Sequence, residues 1–327
     1  MVPFFCVFSI FFIFAFQLSH FVTDSSTMND VSFWMVLLGT RCGASVVSTI
    51  GMRVIDVIHL FPFISGRASS SIACSRVVQN PLILLVTLNY LKEYSTLEQL
   101  ESRWGLSHTT CFAYFLTGLE ALFLSLPPLS LTDRFNQEAC FGYENMFRNV
   151  LLAADGTCCR VERPSENNLQ HLYYSGHRRE HCVVYEAAAR LRDGYFCWVA
   201  GPAPGSLVDI TLLRLFGLLD QLLPNERAVF DKGYVGLSPE RALTPFRATS
   251  SHPLTIAQIV FNMLLEQGRV IVEDSFSRVK EWQILEKPFR GDLSRHCLIF
   301  FVCVMISNFL MQSRPLRADP HANYFLN

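Results

Sequence analysis

The hydrophobic pattern divides this chain into an unbroken apolar start, a helical stretch and a longer mixed region. Residues 1–22, MVPFFCVFSIFFIFAFQLSHFV, carry no charge, and the first acid is Asp24. That length suits a membrane span or an uncleaved signal anchor. However, no Lys or Arg precedes it, and no basic flank follows until Arg41, unlike a secretory leader. A genuine anchor, a buried helix and a misassigned start all remain open. Residues 23–80 show no clear period. Val31–Leu38 is too short to span a bilayer, and the stretch from Gly66 to Ser75 reads as a loop. From Pro81 the spacing turns helical, with Pro81 placed to open a helix. Thr96 and Gln99 form the pattern of a capping box for a helix through Trp104. Gly105 then makes a turn, and Ser107 caps a second helix. Two short helices around a glycine turn over residues 81–126 match a helix-turn-helix. The second helix carries no Lys or Arg, so two packed helices with no nucleic-acid role are the alternative to that reading.

Pro127-Pro128 ends that region, and residues 127–148 read as a connector. Beyond it the pattern is mixed. Val150–Ala154 is a short buried strand ending at Asp155 before a glycine turn. His181–Leu191 and Tyr195–Ala200 are strand-like runs joined by Arg192-Asp193-Gly194, a hairpin signal. Gly201-Pro-Ala-Pro-Gly205 reads as a hard break. Ser206–Leu223 is an amphipathic helix stopped by Pro224, and Ala228–Phe230 is a strand ending at Asp231. A long helix is expected from Thr255 to Leu285, and an apolar core helix from Cys297 to Met311. The predicted class is α/β: a mixed sheet flanked by helices over 149–312, preceded by a small all-α region and followed by a tail, 313–327.

Composition changes this picture little. The 327 residues are 50% hydrophobic and 17% charged, enough for a sizeable core, with 27 basic and 28 acidic side chains. A net charge of −1 argues against tight non-specific binding to DNA. The 11 cysteines include no Cys-x-x-Cys pair, which fits buried reduced thiols rather than a disulfide framework or a zinc site.

Chemistry enters with three acids. Asp155 and Asp231 end apolar strand-like runs before glycines, and Glu273 lies on a helical pattern. Magnesium takes about six oxygen ligands. Two such ions about 4 Å apart can activate a water or a 3′-hydroxyl and stabilise a leaving oxygen. Strand-end carboxylates suit that task. Arg269, Glu273, Phe276 and Lys280 recur at i, i+4, i+7 and i+11, one helical face, so cations flank the glutamate. Strand, hairpin, helix, strand and helix, carrying acids in that order, follow the ribonuclease-H-like layout.

Residues 149–311 resemble the DDE superfamily endonuclease domain of Harbinger-type transposases and their domesticated relatives. The matching stretches are Asp155-Gly-Thr, Glu162-Arg-Pro-Ser, Tyr173-Tyr-Ser-Gly, Gly205-Ser-x-x-Asp209, Asp231-Lys-Gly-Tyr234, Leu243-Thr-Pro-Phe-Arg247, Phe261-Asn262 and Arg269-x3-Glu273-x2-Phe276-x3-Lys280. The resemblance implies Asp155, Asp231 and Glu273 as catalytic metal ligands for two Mg2+ or Mn2+ ions, with Asp209 a candidate fourth acid. DNA is the implied partner, with Arg178, Arg179, Arg269 and Lys280 as candidate phosphate contacts. A separate DNA-binding partner protein and self-association are compatible with it, no small-molecule cofactor is implied, and the expected location is the nucleus. Residues 1–22 have no place in the family pattern. Val208 stands where the family often has His, and Glu180 and Glu186 dilute the basic stretch around Arg178. A catalytically silent DNA- or protein-binding relative is therefore the rival reading. Membrane association is a third reading that rests on residues 1–22 alone.

Overall fold

The computed structural model describes residues 46–135 and 149–316. The apolar segment 1–22, residues 23–45, residues 136–148 of the connector and residues 317–327 of the tail lie outside the described residues. The chain divides into two compact units, Met1–Leu126 and Pro127–Asn327.

The described part of the first unit is helical: α1 (Val46–Ile50), α2 (Val54–Ser65), α3 (Ile72–Gln79), α4 (Leu82–Glu93), α5 (Leu97–Trp104) and α6 (His108–Ser125). The expected loop at 66–75 is shorter than its composition suggests, because Ser71 caps α3 by accepting from the Cys74 N–H. The capping box at Thr96 and Gln99 forms as expected, and Gly105 closes α5 in the left-handed conformation. Ser107 caps α6. Leu84, Leu85, Leu88, Trp104, Leu119 and Leu122 are buried between these helices. Asn89 is buried with them and is satisfied on both sides. Its Nδ2 donates to the Thr49 carbonyl at 2.8 Å, and its Oδ1 accepts from Trp104 Nε1 at 3.0 Å.

The second unit is built on a six-stranded sheet. Its elements are β1 (Val150–Arg160), α7 (Asn167–Tyr173), β2 (Tyr174–Ser175), β3 (Glu180–Arg190), β4 (Phe196–Pro204), α8 (Asp209–Phe216), β5 (Arg227–Val229), β6 (Ala242–Leu243), α9 (Ile256–Lys280), α10 (Gln283–Glu286) and α11 (His296–Ser313). β1 is central, antiparallel to β3 and parallel to β5. β3 also pairs β2 and β4 antiparallel, and β5 pairs β6 in parallel. One face of the sheet packs Leu152, Ala154 and Ala188 against Leu213, Leu218, Phe230 and Tyr234. The other face meets α9 and α11. Phe196 lies 5.1 Å, ring to ring, from Phe276, and Tyr185 stacks on Phe300 at 3.8 Å. By length and composition α11 could cross a membrane, but it packs on the sheet. Its Asn308 bonds both the N–H and the carbonyl of Phe196, as a core helix would.

Four boundaries differ from the sequence expectation. β1 does not end at Asp155. It continues through Gly156 to Arg160 because β3 pairs with it along that length, and the buried Cys158 and Cys159 carry the strand on. β4 runs through Gly201 and both prolines to Pro204, which an edge strand permits because its outer N–H groups need no partner. The helix expected over 206–223 stops at Phe216, where Gly217 takes the left-handed conformation. The helix expected to reach Leu285 ends at Lys280, with the four-residue α10 beyond it, and Gly268 does not interrupt it.

Candidate active site

The sheet register brings the two aspartates together. The last parallel pair of β1 and β5 is Ala153 with Val229. Asp155 and Asp231 each lie two residues beyond that pair, so they stand side by side where the strands part, about one inter-strand spacing (~4.8 Å) from each other. Asp231 Oδ2 accepts from the Gly233 N–H at 3.3 Å, which shapes the turn after β5. Asp155 Oδ1 accepts from the Gly156 N–H at 2.8 Å. That bond favours the charged carboxylate, but burial outweighs it and pushes Asp155 up to about 6, with the neighbouring Asp209 adding to the rise.

Gly156 faces the opposite side of the sheet from Asp155, as strand alternation requires. There it sits directly across from Glu186 of β3. A Cβ on Gly156 would lie 2.9 Å from Asp209 Oδ1 and 3.5 Å from Glu186 Oε2. The bare backbone thus leaves space for two carboxylates. Asp209 opens α8, and its carboxylate lies against β1. Desolvation raises it above the usual carboxylate range, opposed by the positive charge of Arg178 and His177. Glu186 is fully buried. Its Oε1 accepts from the Tyr234 hydroxyl at 2.8 Å, and burial raises its pKa well above the ordinary value despite that bond.

Glu273 approaches from α9 and is tied to this group through Arg269. The Arg269 guanidinium bonds Glu273 Oε1 at 2.6 Å and Glu266 Oε1 at 2.7 Å, and its Nε stands 3.8 Å from Asp231 Oδ1. The Glu273 side chain remains about half exposed. Among the described residues no three His, Cys, Asp or Glu side chains converge closely enough to hold an ion as they stand. The donor set is nevertheless all oxygen, with Asp155 and Asp209 desolvated, which suits a hard divalent cation.

The candidate phosphate contacts separate. Arg178, in the turn before β3, lies near enough to Asp209 to favour its charged form. Arg179 is exposed in the same turn with a left-handed backbone (φ 58°). Arg269 is drawn into the acidic group. Lys280 sits elsewhere, 3.7 Å from Glu286, in a network where Arg160 meets both Glu180 and Glu286. Sequence reasoning passed over Glu186 and Tyr234 as members of the site. The available signal was a lone carboxylate inside the apolar run Val183-Val184-Tyr185-Glu186-Ala187-Ala188-Ala189.

A mixed sheet flanked by helices, with acids gathered where its central parallel pair ends, is a ribonuclease-H-like α/β domain. Residues 154–308 match the family described as DDE superfamily endonuclease. A protein named "Probable transposase for insertion sequence element IS702", from Microchaete diplosiphon, is 26% identical over 212 residues, covering 64% of this chain and 72% of the relative. No solved structure matches the chain.

Proposed function

We propose that this protein is a transposase-type nuclease that cuts DNA phosphodiester bonds with divalent metal ions, through Asp155, Asp231 and Glu273. The observation that carries this reading is the register that sets Asp155 beside Asp231 at the end of the β1–β5 pair. Asp155, Asp231 and Glu273 would hold Mg2+ or Mn2+, with Asp209 beside them. The chemistry that divalent ions would supply when bound is activation of an attacking water or 3′-hydroxyl and stabilisation of the leaving oxygen. The chain's own part is positional. The paired strands fix the two aspartates, α9 carries Glu273, and the bare Gly156 keeps the backbone open at the site. To join its partners, Glu273 exchanges its bond to Arg269, which frees that guanidinium for a phosphate. No side chain acts as nucleophile. Within the same reading, the chain is of the Harbinger type and resides in the nucleus, and α5 and α6 form the helix-turn-helix that meets DNA. Residues 1–22 offer a membrane-associated alternative.

The test is cleavage of labelled DNA in Mg2+ or Mn2+, with Asp231→Asn as control. The expected loss in the variant is at least about a hundredfold, the scale seen when one essential charge-stabilising group is removed. Equal rates, or no cleavage by either protein, would count against the enzyme. The second reading, a silent DNA- or protein-binding relative, is favoured by the Arg269 bonds that already neutralise Glu273. It predicts DNA retention with no metal-dependent cleavage.

A further inference from the structure

We propose that Glu186 is a metal ligand next to this site, its Oε2 acting with Asp209 Oδ1 above Gly156, across β1 from Asp155, to hold a divalent cation. The inference rests on the metal-dependent reading above but adds a residue outside the Asp155, Asp231 and Glu273 set. Glu186 has no exposed surface. One of its oxygens is committed to the Tyr234 hydroxyl, while Oε2 is buried with no hydrogen-bond partner. A buried acceptor left unpaired is costly, and native proteins rarely retain one without a use for it. This oxygen also points at something specific. It flanks the spot that a Gly156 Cβ would fill, and Asp209 Oδ1 flanks the same spot. Two carboxylate oxygens therefore converge over the bare backbone of Gly156, where any side chain would obstruct Asp209. Mg2+ and Mn2+ are hard ions that take oxygen ligands at about 2.0–2.2 Å, the chemistry these two carboxylates offer. Tyr234 fixes the orientation, since its hydroxyl pins Oε1 and leaves Oε2 as the only oxygen able to turn toward Asp209.

The experiment measures Mn2+ binding to the full chain by the loss of the free-ion electron paramagnetic resonance signal. It compares wild type, Glu186→Gln, Glu186→Asp and Asp155→Asn, with circular dichroism melting in chelator to verify folding. Glu186→Gln keeps the shape and an acceptor for Tyr234 but removes the charge. It is expected to weaken Mn2+ binding about tenfold or more. Glu186→Asp keeps the charge but withdraws the oxygen by one methylene, so weaker binding is expected there too, and this variant decides the matter if the glutamine form fails to fold. Unchanged affinity in a folded Glu186 variant, alongside weakened binding in Asp155→Asn, overturns the assignment of Glu186 and leaves the nuclease reading intact. That pattern would mean Glu186 is a buried acid holding a proton. Absence of Mn2+ binding by the wild type overturns both.

Discussion

Asp155 is held in a poorly solvated position, and this has a measurable consequence. Its folded pKa is raised from 3.8 to about 6, so the folded state favours the protonated acid. The stability this group contributes is fully present below pH 3.8 and is lost as pH rises through about 6. In chelator, the melting temperature of wild type relative to Asp155→Asn should therefore fall across that window and level off above it. A difference that stays flat with pH would show that Asp155 is not desolvated. Asp155, Asp231, Glu273 and Asp209 could be singled out in the sequence as candidates, because each lies in a short stretch that resembles the family's motifs. Glu186 was not legible as a site residue. Its role depends on sitting across from Gly156 and below the Tyr234 hydroxyl, contacts 30 and 48 residues away in sequence, and no local pattern encodes them.

Elements were readable where their ends carry chemistry of their own. Thr96 with Gln99, and Ser107, cap helices as their spacing implies. Strand ends were harder to read, because the partner strand decides them. Gly156 and Pro202 looked like stops, yet Gly156 is a paired residue of β1 and Pro202 lies within the bounds of β4. The packing of α4 on α6 gives a prediction at this scale. Gly118 lets the two helices approach so closely that a Cβ there would stand 2.9 Å from Thr87 Cβ, with the Thr87 hydroxyl nearer still. Thr87 cannot swing away freely, since its hydroxyl donates to the Ile83 carbonyl at 2.7 Å. Gly118→Ala should therefore cost about 1–3 kcal/mol in chemical denaturation of the chain. A neutral result would mean that the helices separate easily.

At the scale of the whole molecule, the net charge of −1 gives DNA little general attraction, and the acidic group adds local repulsion toward phosphate. Divalent cations should therefore tighten DNA binding as well as support cleavage. With Ca2+ added in place of chelator, a labelled duplex is expected to bind several-fold more tightly, since neutralising carboxylates removes repulsion at the contact. Binding that is indifferent to Ca2+ would locate the DNA surface away from these acids. The fold class was legible from the order of strands and helices, but the parallel pairing of β1 with β5 was not, since it joins residues 76 positions apart, Leu152 and Ala228. That pairing also dictates when the site can exist. The β3–β4 hairpin closes over a few residues, whereas docking β5 on β1 must close a long loop, which is slow and entropically demanding. Asp231 meets Asp155 only at that late step. A chain still emerging from synthesis, or partly unravelled, thus carries Asp155 and Asp231 apart.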